Sequence, residues 1–154
     1  MMGSKEKRRF VGVGVGHSGT TWLFNCLDEH PEISGSKPKE TKFFREEFDK
    51  GLAYYQKKFF TNKNASVLGE FTPSYIYNPE IAKRIKESFP NTKIIVVLRD
   101  PLEFIRSAYY FDKQRGIIAF TDLNQQISED LQNPSSRGHY LISIANSSIV
   151  NSVF

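Results

Sequence analysis

Residues Gly14-Val-Gly-His-Ser-Gly-Thr-Thr21 hold three glycines, one histidine and three hydroxyl side chains in eight positions. Glycine-rich turns leave backbone N–H groups open to a ligand, and hydroxyls add donors, so this run suits an anionic group such as a phosphate or sulfate. Two fingerprints overlap on it. Residues 14 to 19 satisfy Gly-x-Gly-x-x-Gly, and Gly14 to Gly19 also frames a P-loop. A dinucleotide site needs a second strand soon after the first helix, closing on an acid about 20 residues on that binds a ribose hydroxyl. Residues 31 to 42 show no such strand. A nucleotide-hydrolysing P-loop needs Lys directly after the last glycine, where this chain has Thr20. What remains is an anion cradle of another kind, with Ser18, Thr20 and Thr21 as extra donors, or a plain β-to-α turn with a threonine cap.

The flanking residues place this run between a strand and a helix. Arg9 to Val15 is short and rich in β-branched and aromatic residues. Thr20 to His30 pairs Leu23 with Leu27 and Trp22 with Cys26 at helical spacing and closes at Pro31. Residues 31 to 44 read as a loop ending in Lys39-Glu-Thr-Lys-Phe-Phe44, and a helical pattern runs from Glu46 through Phe48, Leu52, Tyr55 and Phe59. Val67 to Phe71 is a second strand candidate, ended by Thr72-Pro73. Asn78-Pro79-Glu80 combines a capping Asn, Pro at the first helical position and an acid near the positive helix end, with Ile81, Ile85 and Phe89 on one face up to Pro90. Lys93 to Leu98 is a continuous apolar run, which predicts a central parallel strand covered on both faces. A helix is predicted from Pro101 to Arg115 with Gly116 at its stop, and another from a Thr121-Asp122 cap that fades before Asn133. Strands alternating with helices predict a three-layer α/β/α protein with a central parallel sheet.

Gly16-His-Ser-Gly-Thr-Thr-Trp-Leu23 closely resembles the 5′-phosphosulfate-binding loop of the PAPS-dependent sulfotransferases, where PAPS is 3′-phosphoadenosine 5′-phosphosulfate. That loop usually reads [Lys/Arg]-[Ser/Thr]-Gly-Thr-Thr followed by an apolar residue. Downstream, Ile94 to Leu98 runs into Arg99-Asp-Pro-Leu-Glu-Phe-Ile-Arg-Ser107, matching the family's strand, Arg-Asp-Pro and a Ser eight residues after the Arg. Lys39-Glu-Thr-Lys-Phe-Phe44 is similar to the Lys-Glu-x-x-Phe-Phe stretch of the carbohydrate branch, typified by heparan sulfate sulfotransferases. Gly69-Glu-Phe-Thr-Pro-Ser-Tyr75 resembles that branch's Glu-Lys-Thr-Pro-x-Tyr, with Phe71 where a lysine often lines the site. The resemblance spans residues 9 to about 115, and 117 to 154 match only loosely, at Gly138-His-Tyr140.

The resemblance implies a P-loop NTPase-like sulfotransferase fold and transfer of a sulfuryl group from PAPS to a hydroxyl or amine, leaving PAP. It places Gly16, His17, Ser18, Gly19, Thr20, Thr21 and Trp22 on the cofactor's 5′ side and Arg99 and Ser107 on its 3′-phosphate. A guanidinium at a strand's C-terminal end can grip a phosphate bidentately, in the crevice where open α/β sheets bind ligands. Pairing with Asp100 or Glu103 is the ordinary alternative for Arg99. Glu40 becomes the candidate general base, within hydrogen-bond reach of the acceptor, against a surface pairing with Lys39 or Lys42. Lys39, Lys42 and Glu70 are the expected acceptor contacts. His17 stands at the usual Lys or Arg position, and histidine is only partly protonated at pH 7; it would donate to the transferred group, with Lys37, Lys39 or Lys42 adding charge. Positioning and electrostatics supply most of such a reaction, and no metal is implied. The family's domain usually continues further, so residues 1–154 are expected to form a single sulfotransferase-like domain lacking its C-terminal part.

Composition sets the outer bounds. With 154 residues, 39% hydrophobic, 14% aromatic and 25% charged, the chain is globular in composition and the length of one domain. No apolar run reaches the roughly 20 residues of a bilayer crossing, so the expectation is a soluble, cytoplasmic protein with no membrane partner. The lone Cys26 excludes an internal disulfide or cysteine metal cluster and reads as a small buried hydrophobe. Phe43, Phe44, Tyr54, Tyr55, Tyr75, Tyr109 and Tyr110 could line a sugar cleft but read first as core. The net charge of +4 sits N-terminally, since residues 1 to 63 hold 12 Lys/Arg against 8 Asp/Glu and residues 64 to 154 hold 9 against 9. A saccharide or small hydroxylated acceptor is the expected partner, and no nucleic acid. A noncatalytic PAP-binding module and a general polyanion binder are the alternatives; the last predicts steep salt dependence and indifference to the 3′-phosphate.

Overall fold

The computed structural model describes residues 7–62, 64–117 and 122–132. Two compact units divide the chain, Met1–Leu98 and Arg99–Phe154. The first holds strand β1 (Arg8–Gly14), helix α1 (Thr20–Asp28), β2 (Ile33–Gly35), α2 (Phe43–Glu46), α3 (Gly51–Phe59), β3 (Val67–Phe71), α4 (Pro79–Ser88) and β4 (Lys93–Val97). The described part of the second holds α5 (Pro101–Gln114) and α6 (Leu123–Gln132). All pairings are parallel, in the order β2-β3-β1-β4, with Phe10 opposite Gly69 on one side and Lys93 on the other. This is the α/β architecture expected from the alternation of strands and helices.

Side chains alternate across the sheet because successive strand residues point to opposite faces. Val11, Val13 and Leu68 pack with Phe43, Phe44, Tyr55, Phe59, Ile81 and Ile85 from α2, α3 and α4. Phe10 and Phe71 turn to the other face, where Phe24 meets them with Leu23, Leu27, Ile95 and Val97 alongside. Full burial of a Phe side chain stabilises by roughly 1.5–3 kcal/mol, and Phe43, Phe44 and Phe71 are completely buried. The aromatic residues are thus chiefly core: Tyr55, Tyr75 and Tyr109 are buried as well, whereas Tyr110 is exposed.

Local signals explain several boundaries. The Asn78 side chain accepts from the Glu80 N–H with Pro79 next to it, as predicted for the start of α4. In the second unit, Asp100 caps α5 by accepting from Leu102 and Glu103 N–H groups, and α5 ends before a left-handed Gly116.

Four expectations need correction. Residues 31 to 42 do contain a strand, β2, which is only three residues long and pairs with β3 alone; no period-2 pattern can develop over that length. The helical pattern from Glu46 is split into a 3-10 turn at Phe48–Lys50 and α3, because Gly51 has φ 78 and interrupts the helix. Strand β4 is the outer strand of the described sheet, with β1 and β3 inside; Ile95 and Val97 pack inward while Ile94 and Val96 are exposed. A continuous apolar run does not by itself distinguish these placements. Cys26 is exposed, since α1 turns Leu23, Phe24 and Leu27 to the sheet. The Thr121 cap and the Gly138-His-Tyr140 stretch lie outside the described residues.

Candidate functional site

In the first unit the parallel strands deliver their following loops to one end of the sheet, the end where open α/β folds bind ligands. Strand β1 finishes at Gly14, whose φ is 146 and whose missing Cβ would lie 2.3 Å from the Val97 carbonyl oxygen. Only glycine lets the two strand ends approach this closely. Val15 N–H then donates to Val97 O at 3.3 Å. Ser18 Oγ donates to Val15 O at 2.6 Å, with Val97 O at 3.4 Å, so its hydrogen closes the loop from inside. Its hydroxyl thus braces the loop.

His17 and Gly19 both have left-handed backbones, at φ 57 and φ 86. For a residue with a Cβ that conformation costs about 1–2 kcal/mol, and the surrounding turn imposes it on His17. Gly19 opens α1 with no side-chain cap, and a Cβ built on Gly16 or Gly19 meets nothing within 4 Å. The loop is open outward. The first-turn N–H groups of a helix lack intrahelical acceptors and carry its positive end, and no side chain caps those of α1. Trp22 is 72% exposed on the same turn.

The Lys39-Glu40 segment lies beside this terminus because the chain leaving β2 is fastened to β3. Ser36 N–H donates to Gly69 O at 2.8 Å, Ser36 Oγ to Lys39 O at 2.9 Å, and Phe71 N–H to Lys39 O at 3.4 Å. From that anchored backbone Lys39 Nζ reaches Thr20 Oγ1 at 3.2 Å, Thr21 Oγ1 at 2.9 Å and Glu40 Oε1 at 3.4 Å. Four expected site residues thus meet: Thr20, Thr21, Lys39 and Glu40. The Lys39 side chain is 16% exposed and Glu40 is 43% exposed, so the carboxylate is open to solvent. Lys42 is exposed, with φ 53 at the start of α2.

Glu70 departs from expectation. It points to the α3 side of β3 and is completely buried. Tyr55 OH donates to Oε1 at 2.7 Å, Thr72 Oγ1 to Oε2 at 3.0 Å, and Thr41 Oγ1 also to Oε2. Thr41 further accepts from Phe43 N–H at 3.2 Å, and Tyr75 OH from Phe44 N–H at 3.1 Å. Burial raises the Glu70 carboxyl above its ordinary value against the opposing pull of these hydroxyls. An acceptor cannot reach it. Its visible role is to hold Thr41, which lies between Glu40 and Lys42. Sequence reasoning missed this cluster because its hydroxyls come from separated segments, none carrying a local signature.

In the second unit, Arg99 pairs with Glu103 at 3.7 Å, Glu103 also meets Arg106 at 3.1 Å, and Ser107 is half-buried on α5. Asp100 is engaged as the α5 cap. No group of three or more His, Cys, Asp or Glu able to hold a metal occurs among the described residues.

Comparison with known proteins places this geometry. Over 108 residues the chain is 39% identical to the membrane-associated sulfotransferase kil1 of Dictyostelium discoideum, a match covering 68% of this chain and 23% of that protein. It is 36% identical over 109 residues to human heparan sulfate glucosamine 3-O-sulfotransferase 3B1, covering 70% of this chain and 27% of the relative. The match to a solved sulfotransferase from Alicyclobacillus acidocaldarius has a TM-score of 0.72 at 21% identity, covering 89% of this chain and 63% of that one. The chain thus spans about a quarter of the length of these curated relatives.

The expected cytoplasmic location does not stand beside these relatives, one of which is named as membrane-associated. That expectation rested on apolar run length. No described helix is long and apolar enough to cross a membrane, but location follows from whichever segment carries an anchor or signal, and the match covers 23% of that relative. The family model of the sulfotransferase domain matches residues 7–146, and with the parallel α/β fold and the open loop at α1 this shows that the chain belongs to the sulfotransferase domain family.

Proposed function

We propose that this chain carries the donor-binding part of a sulfotransferase that uses PAPS and sulfates a hydroxyl or amine of a saccharide. The observation that carries this reading is the open, uncapped start of α1 with Thr20 and Thr21 beside the Lys39-Glu40 pair. These residues fit the group: a Cβ built on Gly16 or Gly19 meets nothing within 4 Å, and the Lys39 ammonium lies against the Thr20 and Thr21 hydroxyls in the first turn of α1. When bound, PAPS supplies the sulfuryl group that passes to the acceptor. The loop N–H groups of residues 16 to 21 orient the anionic oxygens, and the loop's fixed dipoles need no reorganisation as charge moves. His17 and Trp22 flank these residues in sequence. Glu40 accepts the proton of the attacking hydroxyl or amine at its exposed carboxylate. Arg99 and Ser107 are assigned to the donor's 3′-phosphate on their motif. Relatives named for heparan sulfate support a saccharide acceptor.

The test is transfer of radiolabelled sulfate from PAPS to a heparan-type polysaccharide by the wild-type chain and by Glu40→Gln. A general base contributes about 100-fold or more, so Glu40→Gln should lose at least that in rate while keeping its affinity for PAP. Transfer at the wild-type rate would remove Glu40 from the chemistry, and PAP binding without transfer by the wild type would favour a noncatalytic module.

A further inference from the structure

We infer that Lys39 is the cation of the donor site, and that its ammonium contacts the transferred sulfuryl or 5′-phosphate oxygens; this rests on the PAPS reading above. Residues 14 to 21 include neither Lys nor Arg. His17 is the ionisable side chain of the loop, and histidine carries only a fractional charge near pH 7. Sulfuryl transfer builds negative charge on the leaving 5′-phosphate oxygen, which calls for a permanent positive charge close to it. Lys39 brings one from a different segment.

Three observations separate Lys39 from an ordinary surface lysine. Its side chain is only 16% exposed, whereas a lysine tip normally extends into water. Its carbonyl is held by Ser36 Oγ and Phe71 N–H, which tethers the residue to the end of β3. Its ammonium contacts Thr20 Oγ1 and Thr21 Oγ1, both in the first turn of α1. A hydroxyl whose oxygen accepts from an ammonium keeps its own hydrogen for another acceptor. An anion on the α1 terminus therefore meets N–H groups, two polarised hydroxyls and a full charge together. The same ammonium lies 3.4 Å from Glu40, so an anion on the loop competes for Lys39 and frees the Glu40 carboxylate to take a proton.

The experiment compares affinities for PAP and for adenosine 3′-phosphate, which lacks the 5′ group, in the wild-type chain, Lys39→Gln and Lys39→Arg. Hydrogen bonds to a charged partner outweigh neutral ones, so Lys39→Gln should lose about tenfold or more in PAP affinity, with adenosine 3′-phosphate little changed. Lys39→Arg should keep most of the preference, and His17→Lys added to Lys39→Gln should restore part of it. Full preference in Lys39→Gln, at unchanged melting temperature, would overturn the inference. Equal loss in Gln and Arg variants would overturn it too, since geometry and not charge would then be what matters. A wild-type chain that prefers neither ligand would instead overturn the donor reading itself.

Discussion

Glu70→Leu tests how the core holds the site. The carboxyl is completely buried and takes hydrogen bonds from Tyr55, Thr72 and Thr41. Leucine fills a similar space but accepts nothing, which takes the acceptor from the Tyr55 and Thr72 hydroxyls, 2% and 0% exposed. A buried hydroxyl that loses its partner costs about 1–3 kcal/mol. Relief of the carboxyl's own desolvation offsets part of that, leaving an expected net loss of about 2–4 kcal/mol. Glu70→Gln keeps one acceptor oxygen, and its amide can donate to hydroxyl oxygens that turn to receive it, so its loss should stay below about 1.5 kcal/mol. Urea unfolding of the wild type and both variants reads these differences from the midpoints. Because Thr41 lies between Glu40 and Lys42, the Leu variant should also lose sulfate transfer. A Leu variant within about 0.5 kcal/mol of wild type, the range of neutral surface changes, would refute the reasoning.

Three further predictions concern pH and the strand ends. The ammoniums of Lys50 and then Lys58, with the Tyr54 hydroxyl, hold the Glu47 carboxyl down to about 2 from its ordinary 4.5. Its stabilisation is therefore present above 4.5 and lost as pH falls toward 2, and Glu47→Gln should flatten the acid limb of a stability–pH curve. Glu70 has the opposite sign: burial raises it, so its contribution is complete below 4.5 and fades as pH rises through the folded value; Glu70→Gln should remove that decline. Gly14→Ala would force a Cβ to 2.3 Å from a backbone oxygen at φ 146, and thermal unfolding should show a loss of about 2 kcal/mol or more. An unchanged melting temperature would mean the strand ends do not need to approach.

How much of this was legible in the sequence depended on how local each signal was. The β1, loop and α1 unit could be read because glycines, hydroxyls and a helical period follow one another directly. The α4 start was readable from Asn78-Pro79-Glu80, whose capping chemistry is contained in adjacent residues. Strand β2 was not, since three residues give no period. The outer position of β4 depends on which strand takes the centre, and its apolar run is compatible with either place. Glu70 illustrates the same limit at the site. Its motif reads as an acceptor contact, and only the fold gathers Thr41, Tyr55 and Thr72 around it. The pairing of Lys39 with Thr20 and Thr21 was similarly out of reach, because it joins loops that meet only when β1 and β3 align.

The measurement closest to the central claim is a calorimetric titration of the chain with PAP and with AMP, in wild type and Arg99→Ala. PAP should bind the wild type more tightly by about 2 kcal/mol or more, roughly 30-fold, as expected for a charged phosphate contact, and Arg99→Ala should erase most of that margin. Equal affinity for the two nucleotides, or a margin untouched by the Arg99 substitution, would contradict the assignment of this chain to a 3′-phosphorylated donor.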